Sequence, residues 1–270
     1  MRTAAIATIA MIVAVVAALV VPSRAAASLH VLCYGDSITA GDMHDPDGSY
    51  PGMLQRQRAD LDVVNEGQPG DVSEKIERFR AALAQWSPQL VILMMGVNDP
   101  VCDPAVTSGC AAATATPERT VANLLHMAAE ARQSGASVVI LTPTPVVCQT
   151  ACQARPETAF AMAVRQAFTA RVAEELLHTH PPPGVRIADL RGKFSEASWA
   201  DDSSDGLHPS GTGIRRVAEL VAAQIPRAGA SRTAPSPPTA SRPGSSRTTT
   251  SQASEADPFV RQPQRPHRTR

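Results

Sequence analysis

Residues 89–95 run QLVILMM, six apolar side chains without a break, bounded by Pro88 and by a GVND turn at 96–99. The run is short for a buried helix and lacks the alternation of a half-exposed strand, so it reads as a strand covered on both faces. Such strands belong to parallel sheets, whose crossovers lay helices over the sheet. Four further segments fit the same sheet: 29–36, 62–65, 137–141 (halted by Pro143 and Pro145) and 185–190. Between them the spacing predicts helices over 50–60, opened by Pro51, and over 72–86, where Ile76, Phe79, Leu83 and Trp86 share one side. More are expected over 117–133, ended by Ser134 and Gly135, over 156–178, and from Ser210 or Gly211 through Ile225. Five strands alternating with helices give an α/β fold with right-handed crossovers. Five suit the doubly wound order 2-1-3-4-5 better than the six-stranded dinucleotide order. No G-x-G-x-x-G follows the first strand and no phosphate-loop motif occurs, so nucleotide-binding readings have no support.

The ends are of different material. Residues 1–27 carry Arg2, an uncharged apolar run over 3–21, Pro22, Arg24 and three alanines, the order of a secretory signal peptide cleaved after Ala27; an uncleaved anchor is the alternative. From 228 to 270 the chain is Ala, Ser, Thr, Pro and Arg with Phe259 and Val260 as its large apolar residues, and it reads as a disordered tail. That leaves 28–227 as one domain, long enough for a well-buried core. The leader carries two positive charges and the tail a net five, so in a neutral chain the domain carries minus seven, which argues against nucleic acid as a partner. The cysteines suit export: Cys102 with Cys110 and Cys148 with Cys152 are the economical local disulfides, cross-pairing stays open, and Cys33 is expected as a buried thiol. A metal reading lacks His or carboxylate partners at suitable spacing, and the segment 44–48 (HDPDG) is short of the oxygen ligands of a calcium loop.

In such a sheet chemistry gathers beyond the carboxyl ends of the strands, and four polar positions fall there. The first strand stops at GDS (35–37) and delivers Ser37, a candidate nucleophile that needs a base. His208, held by Pro209 and a helix start, is the candidate base, and Asp205, three residues earlier, can fix its tautomer and orientation. The backbone N–H groups of Ser37 and Gly70 and the side-chain amide of Asn98 can form an oxyanion hole. Asp189 competes with Asp205 as the orienting acid, with Asp201 and Asp202 behind it. Asp36 and Asp99 read as turn or capping carboxylates, His178 and His180 as helix-end residues, and His44 and His126 have no evident partner.

Together these blocks resemble the SGNH hydrolases, the GDSL lipase/esterase family. GDS stands at 35–37 with Ile38 in place of the family's Leu, N-x-x-x-x-G-D at 65–71, GVND at 96–99 and D-x-x-H at 205–208, in the family's order across nearly the whole domain. Gly70 precedes Asp71 as in the family, which favours it over Gly67. The resemblance implies a flavodoxin-like three-layer α/β/α sandwich that hydrolyses an ester or thioester without metal or other cofactor. The expected protein is an exported monomeric serine esterase acting on small-molecule or cell-surface esters, touching membrane only through an uncleaved leader. The loops 101–116 and 144–155, small and polar, lean toward short acyl groups. A lysophospholipase, lipase or thioesterase of the same family, or an exported binding protein without turnover, are the alternatives. G-x-S-x-G, the nucleophile turn of α/β-hydrolases, does not occur.

Overall fold

A computed structural model describes residues 28–42, 45, 48–101 and 115–227. The leader, the tail, His44 and the Cys102/Cys110 pair lie outside the described residues. The strands are β1 (Leu29–Gly35), β2 (Leu61–Gly67), β3 (Leu90–Met94), β4 (Ser137–Leu141) and β5 (Val185–Ala188). They form one parallel sheet in the order β2-β1-β3-β4-β5. All five residues of β3 are buried, as its unbroken apolar run requires.

Alternation along the strands splits the core in two. Val31, Cys33, Ile92 and Met94 face one layer, where Tyr50 and Leu54 of α2 (Tyr50–Gln57) and Val217 and Val221 of α8 (Gly211–Ala222) cover them. Leu32, Tyr34, Val91 and Leu93 face the other, under Phe79 of α3 (Ile76–Trp86), Leu124 and Met127 of α4 (Pro117–Gln133), and Val172 and Leu176 of α6 (Pro156–His178). The result is the expected three-layer sandwich. Each fully buried aliphatic side chain contributes roughly 1.5–3 kcal/mol, so β1 and β3 are the firmest part of the platform.

Several boundaries differ from the sequence expectation. The helix expected from residue 72 starts at Ile76, because the preceding residues are held by tertiary bonds: the Ser73 N–H and hydroxyl both donate to Asp99, at 3.0 and 2.5 Å. The helix expected over 50–60 stops at Gln57. Arg58 turns inward, pairs with Asp60, and donates to the carbonyls of Ile225 (3.2 Å) and Pro226 (3.1 Å), tying the end of the domain to its start. The last helix ends at Ala222, β5 stops at Ala188, and β2 extends through Gly67. Three short helices escaped the periodicity: α1 (Ser37–Ala40), α5 (Thr150–Gln153) and α7 (Glu196–Asp202). Gly67, read from sequence as turn chemistry, is a strand residue packed on α1, where a β-carbon would lie 2.1 Å from the Ala40 nitrogen.

Cys148 and Cys152 are joined by a disulfide, and Cys33 is a buried free thiol whose pKa burial pushes up to about 12. Among the described residues no helix is long and apolar enough to cross a membrane.

Candidate active site

β1 ends at Gly35, and Asp36 caps the helix that follows by accepting from the Ile38 N–H at 2.9 Å. The carbonyl of Asp36 also takes the N–H groups of Thr39 and Ala40, so Ser37 sits at the first position of a helix fixed to the strand end. This rim lies beside the boundary between β1 and β3, where the strand order reverses.

The turn carrying His208 arrives from the far end of the sequence, and three ties hold it. Ser203 bridges Pro209, the Ser204 N–H donates to the His208 carbonyl, and the Gly206 carbonyl accepts from the Val147 N–H (2.9 Å) and the Trp199 indole (3.1 Å). Ser37 Oγ lies 2.9 Å from His208 Nε2, and His208 Nδ1 lies 2.8 Å from Asp205 Oδ2. The other Asp205 oxygen accepts from the N–H groups of Leu207 (2.9 Å) and His208 (2.7 Å). With Nδ1–H donated to Asp205, the Nε2 lone pair faces the serine hydroxyl.

The charges fit that arrangement. Burial alone would raise the Asp205 carboxyl, but the hydrogen bonds from the His208 ring and the two backbone amides outweigh it and hold the group well below the usual carboxylate range. The hydrogen bond that His208 donates to Asp205 raises the imidazole pKa; burial and the charge of Arg165 oppose that rise. Asp36, 1 % exposed, is pushed up to about 7 chiefly by burial, with Asp99 and Asp71 adding to the rise while the Ile38 amide and His208 restrain it.

Gly70 adopts φ +81°, a conformation glycine enters freely. Its turn is fixed from both sides: the Gln68 N–H donates to the Gly35 carbonyl at 3.0 Å, and Asn98 Nδ2 donates to the Asp71 carbonyl at 3.0 Å. One amide proton of Asn98 is used there and the second stays available. Among the described residues the backbone N–H groups of Ser37 and Gly70 donate to nothing. Ser37, His208 and Asp205 thus meet in one relay, while positions 70 and 98 follow the ends of β2 and β3, the strands that flank β1.

The competitors for these roles are engaged elsewhere. Asp189 accepts from the Gly192 N–H (2.8 Å) and the Thr142 hydroxyl (3.3 Å), anchoring its own turn, and Asp202 pairs with Arg216 at 2.9 Å. His178 contacts the Glu174 carbonyl within α6, and His126 pairs with Glu130. Among the described residues no cluster of His, Cys, Asp or Glu could hold a metal ion.

Three supporting residues were invisible in the local pattern. Asp99, expected as a local turn anchor, joins three segments through Ser73, the Thr120 hydroxyl (2.6 Å) and its own place after β3. Arg78 stacks 4.1 Å over the Tyr34 ring, pairs with Asp71 at 2.6 Å and donates to the carbonyls of Gly35 and Glu66. Arg165 of α6 donates from Nε to the carbonyl of Val97, next to Asn98, at 3.3 Å. Only long-range pairing reveals these roles, and no spacing rule would have found them.

The model of the GDSL-like lipase/acylhydrolase family matches residues 33–216. Esterase TesA of Pseudomonas aeruginosa is 34% identical over 129 residues, covering 46% of this chain and 59% of that protein. Thioesterase 1/protease 1/lysophospholipase L1 of Escherichia coli K12 is 35% identical over 78 residues, 28% of this chain and 38% of that protein. The chain therefore matches less than two thirds of the length of these curated relatives. The native aryl esterase of M. smegmatis superposes with a TM-score of 0.56 at 19% identity, over 73% of this chain and 98% of that one. The acetyl xylan esterase AlAXEase gives 0.52 at 18%, over 73% of this chain and all of that one, a likeness of fold. With the family model spanning most of the folded part and all four signature blocks inside that span, the chain belongs to the GDSL-like lipase/acylhydrolase family, the SGNH hydrolases.

Proposed function

We propose that the protein is an exported serine esterase that hydrolyses carboxylic esters through an acyl-enzyme on Ser37. The observation that carries this reading is the unbroken relay Ser37–His208–Asp205, at 2.9 and 2.8 Å. Ser37 Oγ attacks the ester carbonyl carbon while His208 Nε2 takes its proton. The carbonyl oxygen, now carrying the negative charge, is received by the N–H groups of Ser37 and Gly70 and the amide of Asn98. The intermediate collapses, the alcohol leaves with the proton from His208, and water activated by the freed imidazole cleaves the acyl-enzyme. Asp205 keeps its charge throughout and stabilises the imidazolium.

Export is supported by the leader composition of residues 1–27 and by the Cys148–Cys152 disulfide, a bond that persists in oxidising compartments. The domain proper is 28–227. Short acyl groups are the favoured substrates, since the 144–155 segment beside the His208 turn offers small and polar side chains. The printed names of the relatives supply the second reading, a thioesterase or lysophospholipase. A series of p-nitrophenyl esters from acetyl to dodecanoyl separates the two. The short-chain reading expects kcat/KM to peak at the shortest acyl groups; a peak at the long end replaces it with the lipase reading. Ser37→Ala should abolish turnover on every member with its Tm nearly unchanged. Absence of turnover in the unsubstituted protein would favour a binding protein.

A further inference from the structure

Six arginines among the described residues are matched to carboxylates, and Arg191, which is not, donates to the Thr144 carbonyl and the Thr169 hydroxyl. Arg58, Arg78, Arg80, Arg119, Arg171 and Arg216 each lie within 4 Å of a carboxylate. Arg165 does not: among the described residues its contact is the Nε bond to the Val97 carbonyl, and both terminal nitrogens, with four N–H donors, are unpaired. The side chain is half-buried, on a helix face turned toward the site, since Val97 adjoins Asn98. A half-buried guanidinium without a counter-ion is partly desolvated, and an anionic ligand that supplies the missing charge relieves that cost.

We propose that Arg165 is an anion-binding subsite, selecting esters that carry a carboxylate or similar anionic group close to the scissile bond. The inference rests on the esterase reading above. The electrostatics agree: burial depresses the Arg165 pKa, and its charge reaches Asp205, Asp36 and His208 while standing in ion-pair contact with none of them. The planar fork of arginine fits a carboxylate at two oxygens, a geometry lysine cannot copy. In a domain of net charge minus seven, a local cation is also what would let an anionic substrate approach.

The test compares matched pairs. On the acyl side, mono-p-nitrophenyl succinate is set against p-nitrophenyl butyrate; on the alcohol side, 4-acetoxybenzoate is set against phenyl acetate. The readout is the ratio of kcat/KM for the anionic ester over its neutral partner. The unsubstituted protein should favour the anionic ester in one of the two pairs. Arg165→Gln should lower that ratio about tenfold or more, the size expected for a charge-assisted hydrogen-bonded contact. Arg165→Lys should fall between, and it keeps the comparison usable if the glutamine variant does not fold. The pair that responds tells which side of the ester the guanidinium faces. Ratios unmoved by either substitution, with neutral esters still hydrolysed, would overturn the subsite and leave the esterase reading standing. Failure to hydrolyse any of the four would remove both.

Discussion

Asp36 shows how a single residue can serve two demands that conflict. Its carboxylate caps the helix that presents Ser37, yet burial pushes its pKa from 3.8 up to about 7. A carboxyl raised on folding takes up protons in the folded state, so stability falls as pH rises from about 4 to about 7 and the cost is full above that window. Asp36→Asn keeps an oxygen for the cap and discards the charge. Its Tm should exceed that of the unsubstituted protein by a margin that grows from about pH 4 to about pH 7 and levels off above; a gap independent of pH would refute the assignment. Because Asp36 also raises His208, the same variant should shift the acid limb of kcat/KM, set by loss of the neutral imidazole, toward lower pH. Asn98→Ala should lower kcat by about 10²–10³ with far less effect on KM; a pure KM effect would mean the amide does not meet the developing oxyanion. At this scale the sequence was legible where a role depends on adjacent residues: a glycine and a serine at a strand end, or an aspartate three residues before a histidine. Asp36's burial, the reach of Asp99 and the loneliness of Arg165 depend on what distant segments bring, and local pattern carries no trace of them.

Among the elements, the segment closed by the Cys148–Cys152 disulfide matters for a reason its size does not suggest. Val147 holds the Gly206 carbonyl, and Gln149 donates to the Ala200 carbonyl at 2.9 Å, so the segment supports the turn that carries His208. A ring this small contributes about 2 kcal/mol at most through chain entropy. The Cys148→Ser/Cys152→Ser variant should therefore remain folded with a modestly lower Tm, yet lose kcat as the His208 turn loosens. Full activity in the reduced or substituted protein would show that the segment is decorative. Strands and long helices were legible because their side chains repeat every two or every three to four residues. The start of α3 was not, since the bond from Ser73 to Asp99 outbids local helix preference, and α1, α5 and α7 are too short for a period to appear.

For the molecule as a whole, the sheet order is what turns scattered motifs into a site. β1 lies between β2 and β3, so the residues that follow these three adjoining strands, Ser37, Gly70 and Asn98, fall on one edge of the sheet although they span 61 positions of the chain. The return of the chain past β5 adds Asp205 and His208 to the same rim. The order was inferable because five parallel strands with helical crossovers leave few arrangements. The most direct test is labelling of the purified protein with a fluorophosphonate, followed by peptide mapping. Covalent phosphonylation of Ser37, faster as His208 becomes neutral and absent in Ser37→Ala, is the predicted result. An unlabelled Ser37 across the neutral range, or label on another serine alone, would contradict the nucleophile on which the account is built.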